Sequence, residues 1–128
     1  MSVDVGKVLE RTRAELRLHP EFLGIEILSV DQRGAMDSAP IHIAARTANI
    51  PWLRELISVG ANIDAIGDLG HTPLHEAALC GKAAAVATLI EAGADLSLKN
   101  EFGQTARDVA VLGKKLEVLE VFDANLKR

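Results

Sequence analysis

Gly70-His71-Thr72-Pro73-Leu74-His75-Glu76-Ala77-Ala78 has two counterparts along the chain. One is Ser38-Ala39-Pro40-Ile41-His42-Ile43-Ala44-Ala45 upstream, and the other is Gly103-Gln104-Thr105-Ala106-Arg107-Asp108-Val109-Ala110 downstream. Pro40, Pro73 and Ala106 are equally spaced in the three. A second block shares that spacing. Leu56-Ile57-Ser58-Val59-Gly60-Ala61-Asn62-Ile63 precedes Leu89-Ile90-Glu91-Ala92-Gly93-Ala94-Asp95-Leu96 by the same offset as Pro40 precedes Pro73. Two separate blocks with one offset mark an internal repeat, which has to be recognised before any single element is assigned.

The chemistry of one unit gives its local structure. Thr72 is a helix-capping side chain, and Pro73 occupies the first helical position, where a missing N–H costs nothing. Leu74, Ala77 and Ala78 are three and four apart and form one apolar stripe, with the small alanines permitting close helix approach. Gly81 ends this helix. A second helix is expected over Ala83 to Ala92, with Val86, Leu89 and Ile90 on its inner face. Gly93-Ala94 then turns the chain into an extended finger, Asp95 to Phe102. In the preceding unit Pro51 opens the second helix, and Trp52, Leu53, Leu56 and Ile57 supply its core.

These residues resemble the ankyrin repeat, whose signature is a Thr-Pro-Leu-His-x-Ala core at a period of 33. The resemblance is closest over 68–100, good over 34–67 and partial from 101 onward. It implies an all-α fold: a short solenoid of helix–turn–helix repeats with extended fingers. One such unit cannot bury its apolar face alone, so repeats must stack and the ends need caps. Residues 4–18 read as an amphipathic capping helix carrying Val5, Val8, Leu9, Leu16 and Leu18, with Pro20 at or just past its end. Gly24-Ile25-Glu26-Ile27 is similar to Gly60-Ala61-Asn62-Ile63 if the following loop carries three extra residues. The expected organisation is a single domain: a cap or degenerate half-repeat over 1–33, repeat 1 over 34–66, repeat 2 over 67–99 and a C-terminal capping repeat over 100–128. The first finger is expected to be lengthened around Gly34-Ala35-Met36-Asp37, and the last helix to run from Lys114 to Asn125.

Composition agrees with a packed helical core. Of the 128 residues 48% are hydrophobic but only 3% aromatic, so the interior must be built from Ala, Leu, Ile and Val. The net charge of −4 disfavours nucleic acid, and no cluster of Lys and Arg offsets it. A basic partner is favoured instead. No segment approaches the roughly 18 consecutive apolar residues of a membrane span. The N-terminal stretch does not read as a secretory signal, and the single cysteine fits a reducing compartment, so the chain reads as cytoplasmic.

Candidate chemistry is sparse. His42 and His75 hold the position of the family's motif histidine, and the resemblance implies that each orders its loop by bonding backbone and the Thr side chain. No His-x-x-x-His spacing or cysteine pair offers a zinc site. His71 and His19 are isolated and expected in solvent. Cys80 is beside Gly81 and near His75, but a nucleophile needs a base and an orienting group, and no third member is evident. The simpler reading is a small apolar residue near the concave face. Gly67-Asp68-Leu69-Gly70 lacks the strand-to-helix context and the Gly-Lys-Ser/Thr ending of a phosphate loop. The acid pairs Glu101 with Asp108 and Asp64 with Asp68 fall on solvated fingers. No catalytic, metal or cofactor-binding residue is therefore assigned.

What the fold leaves free is the signal for a partner. The resemblance implies binding at finger tips and at the exposed face of each first helix. The tips are Met36 and Asp37, then Asp68, Leu69 and His71, then Glu101, Phe102 and Gln104. The helix positions are Ile43, Arg46 and Thr47, then Glu76, Leu79 and Cys80, then Arg107, Val111 and Leu112. Leu69 and Phe102 are one period apart, with Leu79 and Leu112 behind them and acids around. That pattern reads as an interface core with a polar rim, or as side chains folded back on neighbouring fingers. Trp52 aligns with Ala85 and is expected to pack between repeats or against the N-terminal cap.

The leading function is a non-catalytic protein-binding module that masks or scaffolds a partner, acting as a monomer or weak dimer. The narrower alternative rests on size and acidity: short acidic chains of this family resemble bacterial immunity proteins that cover a cognate toxin. A minimal enzyme using Cys80 and His75 is the third reading.

Overall fold

A computed structural model describes residues 4–126, and all their regular structure is helical. The helices are α1 (Val5–Leu16), α2 (Pro40–Arg46), α3 (Ile50–Ser58), α4 (Pro73–Leu79), α5 (Ala83–Glu91), α6 (Ala106–Leu112) and α7 (Leu116–Leu126). Two rows result. The short helices α2, α4 and α6 stack on one another, and α1, α3, α5 and α7 form the second row behind them. The short helices can stack because Ala44, Ala45, Ala77, Ala78 and Ala110 are fully buried at their contacts. The second row contributes Trp52, Leu53, Leu56, Val86, Leu89 and Val118 to the same continuous core.

Each unit opens as its sequence suggests. The Thr72 hydroxyl accepts the His75 N–H that caps α4, and Thr105 does the same for Asp108 in α6. Ala39 holds that place in α2 and offers no side-chain acceptor. Between the paired helices, Ala48, Gly81 and Lys114 occupy one position in successive repeats, and all three are left-handed, at φ 54°, 69° and 55°. Glycine accepts that conformation freely, whereas a Cβ costs about 1–2 kcal/mol.

The N-terminal segment meets the solenoid at Trp52. Helix α1 packs on α3, and the indole Nε1–H donates to the Thr12 hydroxyl at 3.0 Å while Thr12 donates to the Val8 carbonyl. Trp52 thus takes the second of its two expected places, against the cap. Val8 and Leu16 are buried, but Val5 and Leu18 are exposed, and the helix stops at Leu16. The buried stripe is Val8, Thr12 and Leu16, so a polar residue takes a core position, and Leu18 lies past the helix end.

The first finger is not lengthened at Gly34–Asp37. The Gly34, Gly67 and Asn100 N–H groups donate to the Ser38, His71 and Gln104 carbonyls, each at 2.9 Å and each one repeat on from the last. Gly34 is therefore the counterpart of Gly67, not of Gly70, and Asp37 holds the Gly70 position with φ 63°. The extra residues fall upstream, between Gly24 and Asp31. Asp31 accepts the Asn62 N–H as Asp64 accepts that of Asp95, which restores the period there.

At the other end, residues equivalent to stacking positions become charged. Ile41 and Leu74 are buried under the following repeat, but their counterpart Arg107 is exposed and pairs with Asp123 at 3.0 Å. Val111 replaces the buried Ala45 and Ala78 and faces solvent.

Ala48 is the test of the turn geometry. Ala48→Gly is expected to raise stability by about 1 kcal/mol and Gly81→Ala to lower it by a similar amount. Urea unfolding followed by circular dichroism checks both; a lower midpoint for Ala48→Gly contradicts this turn conformation.

Candidate interaction surface

The fingers are held side by side by buried histidines. In His75, Nδ1 accepts from the Thr72 N–H and hydroxyl at 3.2 and 2.8 Å, and Nε2–H donates across to the Gln104 carbonyl at 2.8 Å. His42 repeats the arrangement one unit earlier: Nδ1 accepts from the Ala39 N–H, and Nε2–H donates to the His71 carbonyl at 3.0 Å. Each ring spans from its own helix start to the next finger. The tautomer follows from the partners, since a carbonyl needs a donor and an N–H needs an acceptor. Burial lowers the pKa of both rings below the ordinary value.

In the last repeat Asp108 replaces this histidine. Its carboxylate accepts the Thr105 N–H at 2.9 Å, so the helix start is still closed. The Thr105 backbone N–H and, behind it, the hydroxyl bond hold the Asp108 carboxyl below its usual pKa.

The tips form a second register. Met36, Leu69 and Phe102 occupy one position in three consecutive fingers and are 63%, 43% and 65% exposed. Leu69 has φ 59° and is followed by Gly70 at φ 73°, so the two centre a tight turn closed by the His71 N–H on the Asp68 carbonyl. Gly70 is required there: an added Cβ would lie 2.8 Å from the Glu101 backbone nitrogen, which donates to the Leu69 carbonyl of the neighbouring finger.

Between the first two tips lies a shallow groove of about 230 Å³. It gathers Met36, Arg46, Asp68, Leu69, Glu76 and Leu79, with His71 also in its wall. Asp37, Glu101, Phe102, Gln104 and Leu112 lie outside it. Arg46 crosses the groove. It bonds Glu76 at 3.2 Å and the Ser38 hydroxyl at 3.2 Å, and stands 3.7 Å from Glu21.

Several expected positions shift in character. His71 is not in solvent; it is 8% exposed, stacked on His75 with ring centroids 5.5 Å apart and 3.6 Å from the Glu76 carboxylate. His19 is half-buried, and its Nδ1 accepts the Glu21 N–H, closing a one-turn 3-10 helix at Pro20–Phe22. Ile43 is buried. The Gln104 side chain turns inward to accept from the Asn100 amide at 3.0 Å, and its carbonyl serves His75. Thr47, Arg107, Val111 and Leu112 are exposed.

Glu21 and Thr12 carried no signal in the sequence, because neither falls in the repeat motif. Cys80 is an exposed residue at the end of α4 and not part of the apolar surface within the groove. His75 could not serve it as a base, since both ring nitrogens are already committed. Among the described residues no cluster of His, Cys, Asp or Glu could hold a metal ion, and no helix is long and apolar enough to cross a membrane.

The chain matches the family model described as ankyrin repeats (3 copies), over residues 18–100 and again over 41–122. Comparison with curated proteins finds no match.

The histidine bonds have a pH consequence. A lowered folded pKa means that the unfolded chain, titrating near 6.5, binds more protons below that pH. Stability is therefore expected to be full above about pH 6.5 and to fall as the pH drops through the depressed folded values. Thermal unfolding between pH 8 and 5 checks this. His75→Gln should flatten the dependence; an unchanged slope contradicts the assignment.

Proposed function

The chain belongs to the ankyrin-repeat family, and on that footing we propose that it binds and masks or scaffolds a partner protein through its finger tips and concave helix face. Ankyrin repeats are generally protein–protein interaction modules, and the family is typically non-catalytic. The observation that carries the reading is the tip row Met36, Leu69 and Phe102.

A tip side chain contributes little to the fold, so a polar residue would serve there equally well. Three large apolar side chains at one exposed position oppose solubility and need a reason. Leu69 sharpens the point. It stays apolar and exposed in a left-handed conformation that costs about 1–2 kcal/mol for a residue with a Cβ. Strain retained at an exposed position favours a role in recognition. Asp37, Asp68 and Glu101 beside the row supply a polar rim, and with the net charge of −4 they favour a basic partner.

Capture from native extract, comparing wild type with a Leu69→Glu, Phe102→Glu variant, tests the proposal. One protein should co-purify with wild type and be lost from the variant, whose unfolding free energy in urea should stay within about 0.5 kcal/mol of wild type because both sites are exposed. Equal capture by the folded variant contradicts the assignment of the tips.

A further inference from the structure

We infer that the groove between the first and second fingers receives a lysine or arginine side chain of the partner protein, which makes it the specificity pocket of the proposed interface. This rests on the interaction reading above and adds the chemistry of what enters.

The groove has apolar walls and a carboxylate floor. Met36, Leu69 and Leu79 are its exposed walls, and Glu21 is nine-tenths or more buried at its base. One Glu21 carboxylate oxygen accepts the Ser38 N–H at 3.3 Å, and the other pairs with Arg46 at 3.7 Å, ion-pair rather than hydrogen-bond distance, and is not sealed off from the groove. A buried carboxylate gains from a charge-assisted donor on each oxygen. Glu76 and Asp68 also line the groove, so three carboxylates face the single guanidinium of Arg46. Arg46 is already spread over Glu76, Ser38 and Glu21, and its closest contacts go to the first two.

The occupant that satisfies both features has a long aliphatic stem and a cationic head. Lysine and arginine bury their methylenes along apolar surface while keeping the charge in a polar setting. An acidic side chain would meet three carboxylates, and an aliphatic one would leave the second Glu21 oxygen without a donor. The backbone around the groove is fixed by the His42–His71 bond, so the pocket exists before binding.

The test titrates 15N-labelled protein with Nα-acetyl-arginine amide and Nα-acetyl-lysine amide, with Nα-acetyl-citrulline amide as the neutral isostere. Saturating amide shifts are expected at Ser38, Leu69 and Glu76 with both cations, with dissociation constants on the order of millimolar. Citrulline should bind about tenfold more weakly or not at all. Glu21→Gln, which keeps the acceptor for Ser38, should weaken the cations about tenfold, and the exposed Asp68→Asn about threefold.

Shifts that do not saturate, an equal response to citrulline, or indifference to both variants overturn the inference. That failure leaves the interaction reading intact if the tip variant still loses its captured protein. Capture that survives the tip variant overturns the interaction reading itself.

Discussion

A neutral imidazole that accepts at Nδ1 from its own helix start and donates from Nε2 to the next finger's carbonyl is the constraint from which the rest follows. Fingers are extended segments without a sheet to hold them, and their backbone groups need partners when buried. The ring satisfies such a carbonyl and fixes the distance between adjacent fingers in one step. Helix stacking sets the same spacing from below, through the alanines that let α2, α4 and α6 approach. The two devices agree because both recur with the same period along the chain. In the third repeat Asp108 retains only the half of the arrangement that closes its own helix.

The surface follows from this economy. Once histidines, threonines and alanines have secured the interior, the tip positions and the outward helix positions are unconstrained by packing. Their residues can differ between repeats for that reason: Arg46 holds the helix position that Leu79 and Leu112 hold in the next two repeats. A scaffold that is regular inside and variable outside places different side chains at fixed intervals. Here that yields an apolar row at the tips and, between the first two fingers, a charged groove crossed by Arg46.

Much of the solenoid was legible because its signals are local and periodic. Thr72-Pro73, the paired alanines and the glycines at helix ends each state their own conformation. The parts that were missed depend on contacts between distant segments. Thr12 is core only because Trp52, far along the chain, donates to it. Glu21 is buried only because Ser38 and Arg46 close over it. His71 has no motif partner along the chain, yet the fold brings it against His75 and Glu76. The first finger was misplaced for another reason. Matching glycine to glycine paired Gly34 with Gly70, whereas the hydrogen bonds pair it with Gly67 and leave Asp37 in the left-handed place. The expected surface positions follow from place in the repeat, but place alone does not reveal that Ile43 and His71 are buried or that Gln104 turns inward.

The most direct measurement of the central constraint is the tautomeric state of the two rings, read from long-range 1H–15N correlation of the histidine side chains at pH 7.5. The account requires His42 and His75 each to be neutral, with the proton on Nε2 and an unprotonated Nδ1. A proton on Nδ1, or the mixed state of an imidazole in water, would mean that neither ring links its helix to the next finger.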